Sequence, residues 1–387
     1  MRDLGEAACI VGVGETDYSR RSGRSPQTLA MQAVTAALRD AGVAGREVDG
    51  VIPYFPLGVS AEEVASCLGV TELTFTGGVQ LGGAGAVSSM RLAALALAAG
   101  VATNVVVFVA RNGRSGAVVS QRVQHNPGQQ FRHHLEAPFG WVSPAQWYAM
   151  MCRRHMHLHG TTRRQLGHVA LTMRANAQRN ERAMMFGRPM TMDDYLASET
   201  IADPYRKLDC CLETDGAAAI VLTTPERAAD LPAEPVRVCG IAEGRADSPD
   251  DLTNRRDLLS SGLRTAAPRA FGMAGIGPGD VDAAMIYDCF TFEVIHQLEE
   301  AGFVPPGEGG AFVADGGIGP DGRLPVNPHG GLLSEGHLLG MNHIVEAVRQ
   351  LRGEAAGRQL PQPGHIAVTG WGNLCDGSLA VLRGGGS

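Results

Sequence analysis

The chain has 387 residues, 44% hydrophobic and 19% charged, a composition typical of a folded globular protein with more than one domain. Its formal net charge of -7 gives no reason to expect nucleic acid or an acidic membrane surface as a partner. The eight cysteines show neither CxxC nor metal-ligand spacing, and neither a secretory signal nor a run of about 18 apolar residues occurs. We therefore expect a cytoplasmic protein with reduced thiols and no membrane span.

The first half begins with a short apolar strand that ends in glycines, CIVGVGETDYS from Cys9. The run SPQTLAMQAVTAALRDAG then predicts a helix, and GVAGREVDGVIPY at 42–54 leads into a second strand. A glycine-led apolar helix follows at 81–100, LGGAGAVSSMRLAALALAAG. The β-branched run NVVVFVARNG predicts a buried parallel strand, and DGAAAIVL from Asp215 predicts the last strand of this half.

An insertion separates these last two strands, between Arg114 and about Leu208 (114–208). It starts with a loop of Asn, Gln, Pro and Gly and continues with the helical stretches SPAQWYAMMCRRHMHLHG and TRRQLGHVALTMRANAQRN. Long insertions on an α/β core commonly carry substrate-binding or oligomer contacts. His155 and His159 have the spacing of a zinc pair on one helix face, but no acid or cysteine completes a site, so we predict no metal.

The second half repeats the elements of the first half in the same order. Its segments are CGIAEGRADSP from Cys239, the helix RRDLLSSGLRTAAPRAFGMAG, GIGPGDVDAAMIY at 275–287, the glycine-led helix SEGHLLGMNHIVEAVRQLRG, the strand HIAVTGWGN and the last strand DGSLAVL. The best-matched stretch aligns Asp282 with Asp49 and Tyr287 with Tyr54. Strands alternating with helices in two copies predict an α/β protein built from duplicated halves.

We place these halves at 1–235, including the insertion, and 236–387. Two copies of this unit, with NPHGGLLSEGHLLG at 327–340 and the strand end TGWGN, resemble the thiolase superfamily. The likeness is greatest to its lipid-transfer-protein branch, which is related to sterol-carrier thiolases, and it covers essentially the whole chain. It implies a five-layered α-β-α-β-α fold and a homodimer.

The residues that carry chemistry in degradative thiolases are only partly kept. There, a cysteine at the head of the first-half helix takes the acyl group, and this position is Gly83 here. The second cysteine, which moves the proton at the α-carbon, would fall near Gly370. The histidine of the Gly-His-x-x-Gly motif is kept, as Gly336, His337 and Gly340. Because acyl transfer needs a thiolate, the loss of both cysteines should abolish it.

A site shaped for a thioester remains. Backbone donors near Gly83 and Gly336, with His337, could stabilise negative charge on a thioester oxygen, which also develops in an acyl-CoA enolate. A subgroup of the same branch consists of retro-aldolases of steroid side-chain breakdown, which share the tyrosine of YDCF, here Tyr287. The resemblance therefore implies a carbon–carbon lyase that cleaves a bulky β-hydroxyacyl-CoA into a ketone and a short acyl-CoA. Coenzyme A thioester is then the substrate, and no tightly bound cofactor is needed.

In that reading Tyr287 faces the substrate hydroxyl as acid and base. A free tyrosine has a pKa of about 10, so the site must depress this pKa or use the hydroxyl as a relay. His337 would polarise the thioester or return the proton, and Asp288 could support Tyr287. Those aldolases tend to have a second tyrosine where this chain has His337, which is a departure from their pattern.

The resemblance also implies contacts beyond the reacting atoms. The insertion binds coenzyme A in thiolases, and guanidinium groups match phosphate oxygens. The candidate arginines are Arg153, Arg154, Arg163 and Arg164. The aldolases of this branch are completed by a small partner with an oligonucleotide-binding-type fold and a zinc ribbon, so a hetero-complex is expected.

Two other functions remain open from the sequence. A non-catalytic acyl-CoA or lipid-binding protein could have kept the pocket after losing the cysteines. An acyltransferase could instead use a relocated thiol, such as Cys289 or Cys67.

Overall fold

The computed structural model describes residues 4–54, 58–79, 81–116, 132–248, 252–372 and 376–385. The predicted polar loop at the start of the insertion therefore lies largely outside the described residues. Within those ranges, the helices are too short or too polar to cross a membrane.

Regular elements follow the predicted order. The first half begins with β1 Cys9–Glu15, α1 Pro26–Ala41, β2 Gly50–Pro53, α2 Ala61–Leu68, β3 Phe75–Thr76, α3 Gly85–Ala98 and β4 Asn104–Asn112. The insertion contributes α4 Pro144–His159, α5 Arg163–Ala177, α6 Met192–Ala197, β5 Thr200–Ala202 and β6 Tyr205–Arg206. After it come β7 Asp215–Thr223 and α7 Pro225–Ala228. The second half holds β8 Val236–Gly244, α8 Leu263–Ala274, β9 Ala283–Met285, α9 Thr291–Glu300, α10 Gly309–Ala314, α11 Gly331–Ser334, α12 Met341–Leu351, β10 His365–Gly372 and β11 Asp376–Arg383.

The main sheet has the strand order β3-β2-β4-β7-β1-β8-β11-β10-β9. Its two halves run outward from a short antiparallel junction, where Cys9 lies opposite Arg237 and Ile10 opposite Val236. On one side of the junction the order is β1-β7-β4-β2, and on the other side it is the equivalent β8-β11-β10-β9. The duplication that the sequence predicts is therefore present in the strand order.

The parallel pairing expected of the β-branched runs is present on one side of β4 and of β10, whereas the other side of each strand is antiparallel. β4 is parallel to β2 and antiparallel to β7, and β10 is parallel to β9 and antiparallel to β11. The β10–β11 connection between Gly372 and Asp376 is too short for a crossover, and so short a connection can join only antiparallel neighbours.

The layers follow from which faces are apolar. Helices α3 and α12 pack between the two halves of the sheet, and their side chains share one core with both. Helices α1 and α2 cover the outer face of the first half, while α8 covers the outer face of the second. The fold is the predicted five-layered arrangement of helix, sheet, helix, sheet and helix. The insertion packs its apolar side chains onto the second half.

Two aspartates show how closely the halves correspond. Asp49 accepts hydrogen bonds from the backbone N–H groups of Thr103 and Asn104, at 2.8–2.9 Å, where β4 begins. Asp282 accepts from the N–H groups of Gly364 and His365, both at 2.8 Å, where β10 begins. Each carboxylate therefore fixes the start of the strand whose far end reaches the candidate site.

The histidine pair of the insertion has a structural partner. The rings of His155 and His159 lie 4.6 Å apart on one face of α4, as predicted. His155 is buried, with Nδ1 2.8 Å from Thr161 Oγ1 and Nε2 2.9 Å from Glu299 Oε2 in α9. These contacts join the insertion to the second half. Among the described residues, no group of three or more potential ligands could hold a metal ion.

Candidate active site

The head of α3 carries no reactive side chain and is closed by backbone contacts. The helix begins at Gly85, two residues after the position aligned with the thiolase cysteine. The Gly82 carbonyl accepts hydrogen bonds from the Gly85 N–H, at 3.0 Å, and from the Tyr54 hydroxyl. A Cβ at Gly85 would lie 2.1 Å from Tyr54 Cε2, so the ring of Tyr54 packs directly on this glycine.

Tyr287 occupies the space that a side chain at position 83 would need. A Cβ at Gly83 would lie 2.2 Å from Tyr287 Cζ and 2.1 Å from the Trp371 carbonyl oxygen. The second cysteine position is closed as well, because a Cβ at Gly370 would lie 2.5 Å from Ser378 Oγ and 2.8 Å from the Gly83 carbonyl oxygen. Both glycines permit backbone approaches that a cysteine side chain would prevent.

Tyr287 and His337 meet across the two motifs that the sequence singles out. The Tyr287 hydroxyl lies 3.1 Å from His337 Nε2, and the rings are nearly perpendicular. Tyr287 is only 3% exposed, whereas His337 is half-buried. The two predicted catalytic residues are therefore in direct contact, and His337 lies on the more open side of the pair.

The expected helix start at His337 is wrong. Helix α11 ends at Ser334 and α12 begins at Met341, so His337 lies in the segment between them. Leu339 and Gly340 have positive φ angles of 56° and 86°, which a continuing α-helix cannot accommodate. A Cβ at Gly340 would also lie 3.1 Å from Tyr287 Cδ2, so this break brings the histidine segment close to the tyrosine ring.

The protonation state of Tyr287 follows from its burial. Loss of solvent raises the pKa of this phenol well above its ordinary value, and the nearby thiols of Cys289 and Cys211 raise it further. Arg111 acts in the opposite direction but does not overcome burial. The sequence leaves two possibilities open, a phenol with a depressed pKa and a neutral phenol that relays a proton. The structure favours the second of them.

Sequence reasoning missed Arg111 and Cys211. Arg111 lies near the end of β4, half-buried, and interacts electrostatically with Tyr287, Tyr54 and Cys211. Cys211 Sγ lies 3.5 Å from Nδ1 of His337. The position of Arg111 at the end of a core strand could have identified it, because ligand sites gather at strand ends in α/β proteins. Nothing in the local sequence around Cys211 indicates its contact.

The backbone donor expected at Gly336 is already occupied. Its N–H donates to the Gly331 carbonyl, at 3.3 Å, and the N–H of His337 donates to Thr214 Oγ1, at 2.9 Å. Gly336 closes the turn that follows α11, so its N–H faces that turn and not the site. The Gly83 N–H donates no hydrogen bond within the described part of the chain, and it remains the candidate donor for a thioester oxygen.

Asp288 supports the site by holding backbone. Its buried carboxylate accepts hydrogen bonds from the N–H groups of Leu332 and Leu333, at 2.8 and 3.2 Å, at the start of α11. His343 Nε2 lies 3.2 Å from the same carboxylate, and the other ring nitrogen of His343 is 2.9 Å from His329 Nε2. Burial raises the pKa of Asp288, with His343 as the main opposing influence.

The candidate arginines of the insertion fall into two groups. Arg153 and Arg163 both form ion pairs with Asp203, while Arg154 and Arg164 are exposed on α4 and α5. A cavity of about 580 Å³ is lined by Arg153 and Asp203 together with other polar and several large apolar side chains. Its lining includes Leu135, Phe139, Trp141 and Met150.

The two relocated thiols are poorly placed to accept an acyl group. Cys289 is buried, and burial with the nearby Glu293 raises its thiol pKa well above the ordinary value, so little nucleophilic thiolate forms. Cys67 is exposed on α2, in the outer layer of the first half, and its sulfur lies 3.9 Å from Gln27 Nε2. The geometry therefore gives no support to an acyl-cysteine at either position.

Glu293 lies in α9, the helix that follows Tyr287, and its buried carboxyl group should make the free energy of unfolding depend on pH. It is fully buried, Oε1 accepts from the Tyr205 hydroxyl at 3.1 Å, and desolvation raises its pKa from 4.5 to about 8. The unfolded chain releases this proton near pH 4.5, but the folded chain keeps it up to about pH 8. Stability should therefore fall as the pH rises between these values, and Glu293→Gln should remove part of that fall.

Urea unfolding at several pH values between 5 and 8 measures this effect. The control is Glu62→Gln, which makes the same chemical change at an exposed position on α2. If the free energy of unfolding changed with pH by the same slope in the wild-type chain and in Glu293→Gln, the assignment of a raised pKa to Glu293 would be contradicted.

The duplicated five-layered fold, with glycine at both cysteine positions and a Tyr287–His337 pair, defines a thiolase-like protein without the acyl-accepting cysteine. The thiolase C-terminal domain-like family matches residues 244–383. A 17-hydroxy-3-oxo-4-pregnene-20-carboxyl-CoA lyase of Mycobacterium tuberculosis is 42% identical over 380 residues, which cover 95% of this chain and 96% of the relative. A steroid side-chain-cleaving aldolase of Thermomonospora curvata is 39% identical over 379 residues, 95% of this chain and 94% of the relative.

The solved structure of an Ltp2-ChsH2(DUF35) aldolase superposes with a TM-score of 0.94 at 37% identity, covering 100% of both chains. The chain belongs to the thiolase superfamily, in the sterol-carrier-thiolase-like branch that includes the steroid side-chain-cleaving aldolases.

Proposed function

We propose that this protein is a carbon–carbon lyase that cleaves a bulky, steroid-derived β-hydroxyacyl-CoA by a retro-aldol reaction. The products are a ketone and a short acyl-CoA, and no acyl-cysteine forms. The observation that carries the proposal is the position of Tyr287, whose ring excludes a side chain at position 83 and whose hydroxyl lies 3.1 Å from His337. The names of the relatives support the same reaction class and a steroid substrate.

The reaction needs a proton acceptor for the β-hydroxyl and stabilisation of the enolate. As Tyr287 Oη takes the substrate proton, it passes its own proton to His337 Nε2. The O–H electron pair then forms the ketone C=O bond, the Cα–Cβ bond breaks, and its electron pair becomes the thioester enolate. Proton return to Cα releases the short acyl-CoA. A neutral phenol suits this relay because its two proton transfers are concerted.

The enolate oxygen needs positive charge or N–H donors close to it. The Gly83 N–H at the head of α3 and the guanidinium of Arg111 at the end of β4 are the groups that we assign to this task. Arg111 also opposes the rise in the pKa of Tyr287, so it favours the hydroxyl as a proton carrier.

The first experiment is a cleavage assay on a steroid β-hydroxyacyl-CoA, with the chain alone and with a co-expressed small partner. Mass spectrometry follows the ketone and the short acyl-CoA. We expect both products in equal amounts and no acyl mass on the protein. Binding of the intact thioester without cleavage under both conditions would instead support the non-catalytic lipid-binding function.

The assembly, the location and the coenzyme A contacts of the protein belong to the same proposal. A partner protein is supported by the composite name of the solved Ltp2-ChsH2(DUF35) neighbour, and we propose that this partner has an oligonucleotide-binding-type fold and a zinc ribbon. We propose a homodimer as the core of this complex, located in the cytoplasm.

We assign the binding of the coenzyme A phosphates to Arg154 and Arg164, which are exposed. Arg153 and Arg163 are the weaker candidates, because both are paired with Asp203.

A further inference from the structure

His337 is held from three sides, and one of its contacts comes from a thiol of the first half. Its Nε2 faces the Tyr287 hydroxyl at 3.1 Å, and its Nδ1 faces Cys211 Sγ at 3.5 Å. Its backbone N–H donates to Thr214 Oγ1 at 2.9 Å. Cys211 and Thr214 both lie in the segment that leads from the insertion into β7.

The backbone of Cys211 is fixed by hydrogen bonds to two other segments. The N–H of Cys211 donates to the Cys289 carbonyl at 2.9 Å, and the N–H of Leu212 donates to the Leu332 carbonyl at 3.0 Å. The segment that contains Cys211 is therefore hydrogen-bonded both to the motif that carries Tyr287 and to α11, the helix that precedes His337. These bonds hold the backbone of Cys211 in place, so the thiol can leave the imidazole only by rotation about the Cα–Cβ bond.

The thiol stays protonated beside this histidine. Burial raises the pKa of Cys211 to about 12, and the carboxylate of Asp288 adds to the rise. A protonated thiol carries no negative charge, so Cys211 and His337 are in contact without forming a thiolate–imidazolium pair. A neutral imidazole has one N–H and one free nitrogen, and the hydrogen bond at one nitrogen decides which is which.

The relay from Tyr287 requires one of the two tautomers. Nε2 must be unprotonated to accept the phenol proton, so Nδ1 must carry the hydrogen. We propose that Cys211 is a positioning residue whose sulfur accepts the Nδ1–H of His337 and so keeps Nε2 free for the proton of Tyr287. This inference rests on the proposed function. Cys211 itself forms no covalent bond and is neither oxidised nor reduced.

Kinetics of three variants test this role. We expect Cys211→Ala to lower kcat about fivefold, the size of one neutral hydrogen bond, with little change in KM. Cys211→Ser keeps an acceptor at this position and should recover most of the loss. The control is Cys210→Ala, which removes the neighbouring thiol, whose sulfur lies 3.5 Å from the Arg206 carbonyl. Wild-type kcat in Cys211→Ala would overturn the proposal.

A spectroscopic measurement tests the tautomer without any activity. In protein labelled with 15N-histidine, the His337 signals are assigned by comparison with His337→Gln. We expect a protonated Nδ1 and a free Nε2 in the wild-type chain, and a mixture of tautomers in Cys211→Ala. A wild-type ring protonated at Nε2 would overturn the proposal, because the thiol would then donate to Nδ1. If the wild-type chain cleaves no steroid thioester, the proposed function fails, while this spectrum still decides the role of Cys211.

Discussion

Tyr287→Phe should slow cleavage severely while leaving the fold intact. The ring still fills the space beside Gly83, so the packing that excludes a side chain there is kept. Only the hydroxyl is lost, and with it the contact to His337 Nε2. Removal of a positioned acid–base group typically lowers the rate by about 10²- to 10⁴-fold. We expect a fall of this size in kcat with substrate binding retained, measured by mass spectrometry of the products.

The matched control is Tyr195→Phe, another fully buried tyrosine. Its hydroxyl lies 2.7 Å from Asp209 Oδ1, within the core that joins the insertion to the second half. We expect this variant to lose about 1 kcal/mol of folding free energy and to keep its cleavage rate. If Tyr287→Phe cleaved the thioester as fast as the wild-type chain, the proton relay would be wrong, even though the reaction class would stand.

Local sequence patterns were sufficient for most elements of the fold. Apolar runs and glycine-led helices recur along the chain, so the duplicated order of β1, β4 and β7 with β8, β10 and β11 could be read directly. The antiparallel direction of β7 and β11 could not, because it depends on how the chain returns to the sheet, through the insertion before β7 and through a short connection before β11. The split between α11 and α12 was missed because positive φ angles at Leu339 and Gly340 have no periodic signature.

The candidate site was predictable only where a motif marks it. Tyr287 and His337 lie in recognisable glycine-rich or strand-end sequence, and the structure brings them together. Cys211 approaches His337 across 126 residues, and Arg111 approaches through the end of a different strand. Contacts between segments so distant depend on tertiary packing, which no local pattern records. The packing of the Tyr287 ring on Gly83 is likewise visible only in three dimensions.

Gly83→Ala should damage both folding and catalysis, although it adds a single methyl group. The new Cβ would lie 2.1 Å from the Trp371 carbonyl oxygen and 2.2 Å from Tyr287 Cζ, so β10 or the tyrosine ring must shift. Overpacking of a well-filled core costs about 1–3 kcal/mol. We expect a loss of this size in urea unfolding, together with a large fall in kcat because the Tyr287 hydroxyl leaves His337. The control is Gly272→Ala in α8, where a Cβ meets nothing within 4 Å and helix propensity favours alanine.

Gly83→Cys should also fail to restore acyl transfer, even when it is combined with Tyr287→His to remove the tyrosine ring. The Trp371 carbonyl would still lie 2.1 Å from the new Cβ, and that backbone atom cannot be removed by substitution. The second cysteine position would remain closed, since a Cβ at Gly370 meets Ser378 Oγ and the Gly83 carbonyl. We expect no acyl mass on the double variant after incubation with an activated thioester. A stable acyl adduct on Cys at position 83 would mean that β10 can retreat from α3, and that the geometry around Tyr287 does not by itself exclude thiolase chemistry.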